Sequence, residues 1–426
     1  MRPDIGAAAR YALAARGHPR PAPHAQRQEP LMKIGYFVPE FPSQTHAFFW
    51  REAMALEDAG DELLFLSSRR PPADACPHDF AEPARARTRY VFPPDWAAAA
   101  LWLTARLART AKAVGYVLGL AETPLKARLR LLGLIPCAAE LARICADAGV
   151  RHVHIHSCAD AAHIGALANI LAGITYSLTL HGDLPVYGRD HRAKMARAAL
   201  VTAVTRPLAA QIAQAAPGRV APVIWMGVDM DRFAPPEAPK ARGGALHAVA
   251  IARLNLVKGH RFFLEAMARA RAEGIDIRCT IAGEGPYRAE LEREIVAFGL
   301  SDHVTLLGAV SQDRVRTLLQ EADLLALTSV GQGEAAPVAV MEAMACGLPV
   351  ICSRIGGTTD MIDDGVNGIL VDQKDVDGIH AALVRLARED GLADRISAAA
   401  RDHARAVFDY RAKARQLREA IVAALG

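Results

Sequence analysis

A chain of 426 residues is too long for one ordinary domain, and 52% hydrophobic against 23% charged residues supplies material for two packed cores, each of about 200 residues. Its formal net charge of +4 suits scattered anion sites rather than a basic stripe, which argues against nucleic acid as a partner. The seven cysteines, Cys76, Cys137, Cys145, Cys158, Cys279, Cys346 and Cys352, form neither CxxC pairs nor an even framework. They read as reduced cytoplasmic thiols used as small apolar residues, and no structural metal is implied.

Residues 1–31, rich in Ala, Arg and Pro, imitate a transit peptide but are read as a disordered extension or an upstream start. Met32-Lys33-Ile34 begins the first buried strand, Lys33 to Val38, which runs into Pro39-Glu40-Phe41-Pro42-Ser43-Gln44-Thr45. Ser43 or Thr45 is expected to cap a helix carrying Phe48, Phe49 and Leu56, with Gly60 closing it before a second strand over Glu62 to Ser67. This alternation starts a parallel α/β sheet.

From Trp96 to Ala146 leucines interleave with Arg106, Arg109, Lys112, Lys126, Arg128 and Arg130 at helical spacing. The pattern either lays a helix on an anionic membrane surface or packs a helix pair on the domain's own sheet with solvated arginines. The longest uncharged run, Ala161 to Gly182, includes His163, Asn169, Gly173 and His181 and reads as helix, turn and strand rather than a bilayer span. Strands are expected at His152 to His156, Ile174 to Leu180, Leu200 to Thr205 and Val220 to Trp225. His181-Gly182-Asp183 falls at a strand's carboxyl end, where α/β proteins bind ligands.

Ala234 to Gly244, rich in Pro, Ala and Gly, marks a linker. Beyond it the rhythm repeats, with strands at Ala245 to Ala252, Ile275 to Ala282, Val304 to Leu307, Leu324 to Leu327, Val350 to Ser353 and Ile369 to Val371. Helices open at Lys258-Gly259, Asp313, Pro337 and Val376, and a helical tail runs from Leu392 to Leu425. A second doubly wound sheet follows.

Chemistry concentrates in GQGEAAPVAVMEAMACG, Gly331 to Gly347, where Glu334 and Glu342 have seven residues between them. Glu334 precedes a helix whose free N–H groups favour anions, and Glu342 sits inside an apolar face, where a charge is costly without a partner. A polar ligand is the simplest partner, and carboxylates beside an anion-binding helix end suit a sugar carrying phosphate. Arg253, at a strand end, and Lys258, at a helix start, are expected to converge as a fork and a point charge on a diphosphate. The turn Gly283-Glu284-Gly285-Pro286 looks like a phosphate or base loop.

These residues resemble the retaining GT-B glycosyltransferases of family 4. The likeness runs from about Lys33 to Leu425 through FPSQTHAFF, the HG at His181, WMGVDMDRF at Trp225 to Phe233, RLNLVKG at Arg253 to Gly259, AGEGP at Ala282 to Pro286, and the Glu334 to Glu342 segment with MEAMACGLPVI. The opening segment and the HIHS strand resemble the branch that builds bacterial exopolysaccharide and capsule.

The resemblance implies two Rossmann-like doubly wound parallel-sheet domains facing a central cleft. Their expected bounds are 32–233 for the acceptor side, 234–244 for the linker and 245–405 for the donor side, with a helix over 406–426 crossing back to the first domain. It implies transfer of a sugar from a nucleoside diphosphate sugar to a saccharide or lipid-linked acceptor, with retention and without bound metal or other cofactor. In it His181 lies near the transferred sugar and acceptor, Arg253 and Lys258 hold the diphosphate, and Glu334 faces the sugar hydroxyls. Gly283, Gly285, Pro337 and Val338 line the nucleotide, whose ribose Glu342 binds. Two departures stand out: Ala335-Ala336 replaces an aromatic residue, and Pro42-Ser43-Gln44-Thr45 replaces a glycine pair after the first strand.

The rival readings are a nucleotide-sugar epimerase, a phosphorylase needing pyridoxal phosphate, and a silent scaffold of a polysaccharide assembly complex. A dehydrogenase is disfavoured because no GxGxxG follows the first strand.

Overall fold

The computed structural model describes residues 32–237, 244–331 and 334–426. The expected extension over 1–31 and the middle of the expected linker lie outside the described residues.

The first half runs β1 (Lys33–Phe37), α1 (Ala47–Asp58), β2 (Glu62–Arg69), α2 (Ala81–Arg87) and β3 (Arg89–Phe92). Four helices follow, α3 (Trp96–Thr104), α4 (Leu107–Leu118), α5 (Leu125–Leu131) and α6 (Leu134–Ala148). Then come β4 (His152–Ile155), α7 (Asp160–Ala172), β5 (Thr175–Leu180), α8 (His191–Ala196), β6 (Leu200–Ala203) and α9 (Arg206–Ala215). The second half runs β7 (Leu246–Ile251), α10 (His260–Ala272), β8 (Ile277–Ala282), α11 (Arg288–Ala297), β9 (Val304–Gly308), α12 (Gln312–Glu321) and β10 (Leu324–Leu327). It continues with α13 (Val338–Ala345), β11 (Val350–Ser353), α14 (Thr358–Met361), β12 (Ile369–Val371), α15 (Val376–Arg388), α16 (Leu392–Val407) and α17 (Tyr410–Leu425).

Among the described residues the strands form two parallel sheets, ordered β3-β2-β1-β4-β5-β6 and β12-β11-β10-β7-β8-β9. Read from β9, the second repeats the order of the first. Both are doubly wound sheets, as expected, and in both the order reverses beside the first strand, opening a crevice at the strands' carboxyl ends. The inner strands are largely buried because helices cover both faces: β1 has four of five residues buried, and β4 and β10 are buried end to end.

Several local expectations change. Helix α1 starts after His46 with no side-chain cap from Ser43 or Thr45. Val220 to Trp225 is not a strand; it makes an isolated bridge between Val223 and Ala203, because the chain there is leaving the sheet edge for the second lobe. The stretch from Trp96 to Ala146 is four helices, not a pair, and most of its arginines are satisfied locally. Arg109 donates to the Leu171 carbonyl at 3.0 Å, and Arg128 to the Thr123 and Leu118 carbonyls at 2.7 and 2.6 Å. No helix among the described residues is long and apolar enough to cross a membrane. The run from Ala161 is helix, turn and strand as expected: α7, with nine residues buried, ends at Gly173 in the left-handed region, and β5 follows.

The lobes are tied together by the tail. Helix α17 packs on α1, Arg418 donates to Asp61 at 2.9 Å, and Val228 donates its N–H to the Phe408 carbonyl at 2.7 Å and accepts from the Tyr410 N–H at 3.1 Å. One apolar cluster runs from Phe37 and Leu180 of the first lobe to Val249, Val340 and Met341 of the second.

Candidate active site

On the second lobe the strand ends are sewn together by close backbone contact. Gly259, at φ 64°, caps α10; a Cβ there would lie 2.0 Å from the Thr328 carbonyl oxygen. Thr328 donates to the Gly259 carbonyl at 3.0 Å and the Val330 N–H to the Val257 carbonyl at 2.7 Å. The loop after β7 is thereby laid on the end of β10, which brings Lys258 to Glu334. Lys258 Nζ donates to Glu334 Oε2, which also accepts from Ser329 Oγ at 3.0 Å. A Cβ on Gly283 or Gly285 would come within 1.8 Å of the Ala252 or 2.2 Å of the Leu254 carbonyl oxygen. Only glycine allows this turn after β8 to lie against the segment leading into Arg253.

Pro337 precedes α13 and Val338 is its first residue. The loop carrying Glu334 rests on a glycine pair: Gly357 N–H donates to the Ala335 carbonyl at 2.6 Å, and a Cβ on Gly356 would lie 1.7 Å from the Glu334 carbonyl oxygen. Ala335 and Ala336, where an aromatic side chain is usual in the resembling family, are buried in the shared apolar cluster.

Glu342 has a different partner from the expected ligand. It is 7% exposed, and its Oε1 accepts from Arg51 Nη1 and Nη2 at 3.4 and 3.3 Å. Arg51 belongs to α1, so this buried ion pair spans the two lobes. Burial raises the Glu342 carboxyl, and Arg51, then Arg232, pull it back.

His181, just beyond β5, faces the site from the first lobe against the Phe48 and Phe49 rings, at 5.3 and 5.0 Å between centroids. Burial pushes its imidazole down to about 3, with the charge of His46 adding to the effect. His46 is itself held at about 4, by burial first, then by His78 and by Arg253 of the opposite lobe. Arg253 therefore comes within electrostatic reach of the His46 side of the cleft. The chain HIHS lines the wall beside it. His154 bonds Ser177 at 2.7 Å and Thr179 at 2.9 Å, and Thr179 bonds Thr202 at 2.7 Å, a satisfied polar seam across β4, β5 and β6.

The structure thus sets Lys258, Glu334, Glu342, Arg253, Gly283, Gly285, Pro337 and Val338 along the rim of the second sheet, with His181 on the opposite wall. Sequence reasoning missed Arg51, Glu52, His156, Gly356 and Gly357. A signal existed: Arg51 and Glu52 interrupt the apolar AFFWREAMAL as Glu342 interrupts AVMEAMACG, and Gly356-Gly357 directly follows a strand and its exit loop. A depression of about 1260 Å³ lined by Asp276, Asp323, Gly347 and Arg401 lies elsewhere, beside the amino ends of the second sheet's strands, and contains none of these groups.

Two Rossmann-like lobes facing each other across such a cleft are the GT-B arrangement, and residues 235–403 match the family of glycosyl transferases group 1. The second lobe is therefore a glycosyl transferases group 1 domain, in a chain of GT-B fold. Over 374 residues it is 26% identical to Escherichia coli WcaL, named for colanic acid biosynthesis, spanning 84% of this chain and 91% of that protein. It is 32% identical to the Erwinia amylovora amylovoran biosynthesis glycosyltransferase AmsK over 49% of this chain, a match spanning 52% of AmsK. In fold it resembles the crystal structure of Anabaena HepE in complex with UDP-glucose, with a TM-score of 0.70 and 19% identity over 92% of this chain and all of that one (100%).

Proposed function

We propose that the chain transfers a sugar, with retention, from a nucleoside diphosphate sugar to a saccharide or lipid-linked acceptor in bacterial exopolysaccharide or cell-surface glycan synthesis. The observation that carries this reading is the meeting of Lys258 and Glu334 at the strand ends of the donor lobe, opposite His181. A diphosphate competes with Glu334 for Lys258. Once the ammonium turns to phosphate, Glu334 is released to accept sugar hydroxyl bonds. Charge growing on the departing phosphate is stabilised by Lys258 and Arg253, so no bound metal is required. The ribose hydroxyls compete with Arg51 for Glu342, which couples donor binding to the interlobe ion pair. UDP-glucose bound to HepE, and the GDP-mannose dependence in the name of a 28% identical Mycolicibacterium smegmatis mannosyltransferase, define the donor class to be tried first.

A peripheral contact with the inner face of the cytoplasmic membrane belongs to the same proposal. It is supported by Trp96, Leu101, Leu107, Leu125 and Leu129, between 57% and 73% exposed on α3, α4 and α5, of which α4 and α5 also carry basic residues.

The test is a panel of nucleotide sugars scored for a rise in melting temperature, then for nucleotide release with and without candidate acceptors in EDTA. A donor bound only by the folded chain at a hundred times its Kd stabilises it by about 2.7 kcal/mol. A panel without any binder refutes the donor assignment, and product formed from donor alone favours an epimerase.

A further inference from the structure

Glu52 follows Arg51 on α1 but faces into the first lobe. Its side chain is 16% exposed; Oε1 accepts from the Tyr36 hydroxyl at 2.8 Å and lies 3.3 Å from His156 Nε2. His156 Nδ1 is 3.1 Å from His181 Nε2. The His156 ring is fully enclosed, with Tyr36 and Phe49 at 4.5 and 4.8 Å. His156 Nε2 therefore faces the Glu52 carboxyl within ion-pair range but makes no hydrogen bond to it, and at the far end His181 Nδ1 is likewise buried without a hydrogen-bond partner among the described residues.

A neutral imidazole carries one N–H, so two imidazoles in line between a carboxyl and a free ring nitrogen have two wirings. An ionised Glu52 only accepts. Its negative charge, 3.3 Å away, favours the proton of His156 on Nε2, so that His181 Nε2–H donates to His156 Nδ1 and His181 Nδ1 keeps a lone pair. A protonated Glu52 no longer attracts that proton and instead favours a lone pair on the His156 Nε2 facing it. His156 then carries its proton on Nδ1 and donates to His181 Nε2, which leaves the hydrogen of His181 on Nδ1. One proton at Glu52 therefore reverses the hydrogen-bonding character of the far nitrogen.

We propose that Glu52 and His156 are positioning residues, the Glu52 charge acting across a 3.3 Å contact on His156 and His156 through its hydrogen bond on His181, that set whether His181 offers a bound sugar hydroxyl an acceptor or a donor. This rests on the transferase reading for its consequence, though not for the wiring itself. Electrostatics support it. Burial raises the Glu52 carboxyl to about 7, with the Tyr36 bond opposing, while burial keeps His181 near 3 and His156 well below its ordinary value. The other titratable groups facing the chain are Tyr36 of β1, His154 of β4, His46 before α1, and Tyr187, whose hydroxyl accepts from the His181 backbone N–H at 2.9 Å and which burial raises above its ordinary value. Burial holds Tyr36 well above its ordinary value, His154 well below and His46 at about 4. Arg51 points away to Glu342. Glu52 is thus the member that changes charge near neutrality.

The test uses the full chain labelled with 15N-histidine, its His181 resonances assigned by their loss in His181→Asn, and reads the tautomer from about pH 6 to about pH 8. The proton is expected on Nε2 at the upper end and on Nδ1 at the lower. Glu52→Gln abolishes the pH-dependent change. Tyr36→Phe, which removes a bond favouring the charged carboxyl, moves the midpoint upward. A His181 tautomer that ignores pH in the wild type, or changes alike in wild type and Glu52→Gln, overturns the proposal. In turnover of UDP-glucose or GDP-mannose, wild-type kcat changes through about pH 7 while Glu52→Gln is flat. The variant's kcat is lower at its optimum by about tenfold to a hundredfold, as for other outer partners that orient an imidazole, with KM little changed. A retained pH inflection in Glu52→Gln also overturns it. Absence of turnover with every donor sinks the transferase reading instead, and the tautomer measurement still decides the wiring.

Discussion

Replacing Arg51 by Met removes the positive half of the buried pair that crosses the lobes and leaves Glu342, 7% exposed, with its charge uncompensated. Breaking such a pair from one side costs about 3–5 kcal/mol. Both guanidinium nitrogens share one carboxylate oxygen at 3.3 and 3.4 Å instead of meeting two oxygens at shorter range, and Arg232 still contributes some positive potential. The lower end, about 3 kcal/mol, therefore applies. For a lobe of this size it corresponds to a fall in melting temperature of roughly 6–12 °C. Glu342→Met in the same chain removes the stranded charge, so the double variant returns to within about 1 kcal/mol of the wild type. The assay is urea unfolding of the wild type, both single variants and the double variant as a cycle. A folded Arg51→Met protein less than about 1 kcal/mol below wild type, or an additive double variant, refutes the claim that this pair clasps the lobes.

Lys258→Ala lowers turnover by two or more decades, about 3–4 kcal/mol of leaving-group stabilisation, while circular dichroism stays unchanged; near-normal transfer by the folded variant contradicts the assignment. Gly283→Ala drives a methyl to 1.8 Å from the Ala252 carbonyl oxygen, and it is expected to cost about 1–3 kcal/mol in unfolding free energy and to weaken donor binding. Acid destabilises the fold through its buried imidazoles. His152, His163 and His260 are each lowered to about 4, mainly by burial. Their contribution is complete above the unfolded value near 6.5 and is lost as pH falls towards 4, about 3 kcal/mol for each at most. Glu52, raised to about 7, works in the opposite direction, losing stability as pH rises from the ordinary carboxylate range. Urea midpoints measured between these limits check the sign: a midpoint that rises on acidification contradicts it.

Much of the architecture was legible in the residue order, because strands buried on both faces must be apolar and helices beside them must alternate with them. The runs KIGYF, TYSLTL, LLAL and VICS are strands for that reason, and glycines after Asn169 to Ala172 and before His260 end and begin helices where expected. The donor rim was legible for a related reason. Arg253, Lys258 and Glu334 follow strand carboxyl ends and Glu342 lies on the helix after one, and parallel topology puts those ends on one edge. What no local pattern contains is which charge meets which. Arg51 is separated from Glu342 by 291 residues, and their meeting depends on how one lobe is laid over the other by the shared apolar cluster and by α17. Nor does alternation in HIHS distinguish His154, tied to the hydroxyl seam, from His156, joined to Glu52 and His181. Composition and periodicity decided the elements and the sheet edge on which Arg253, Lys258 and Glu334 gather, since both follow from burial. Partner choice among buried charges was decided by the packed lobes, since desolvation forces each charge to the nearest group that the tertiary arrangement supplies.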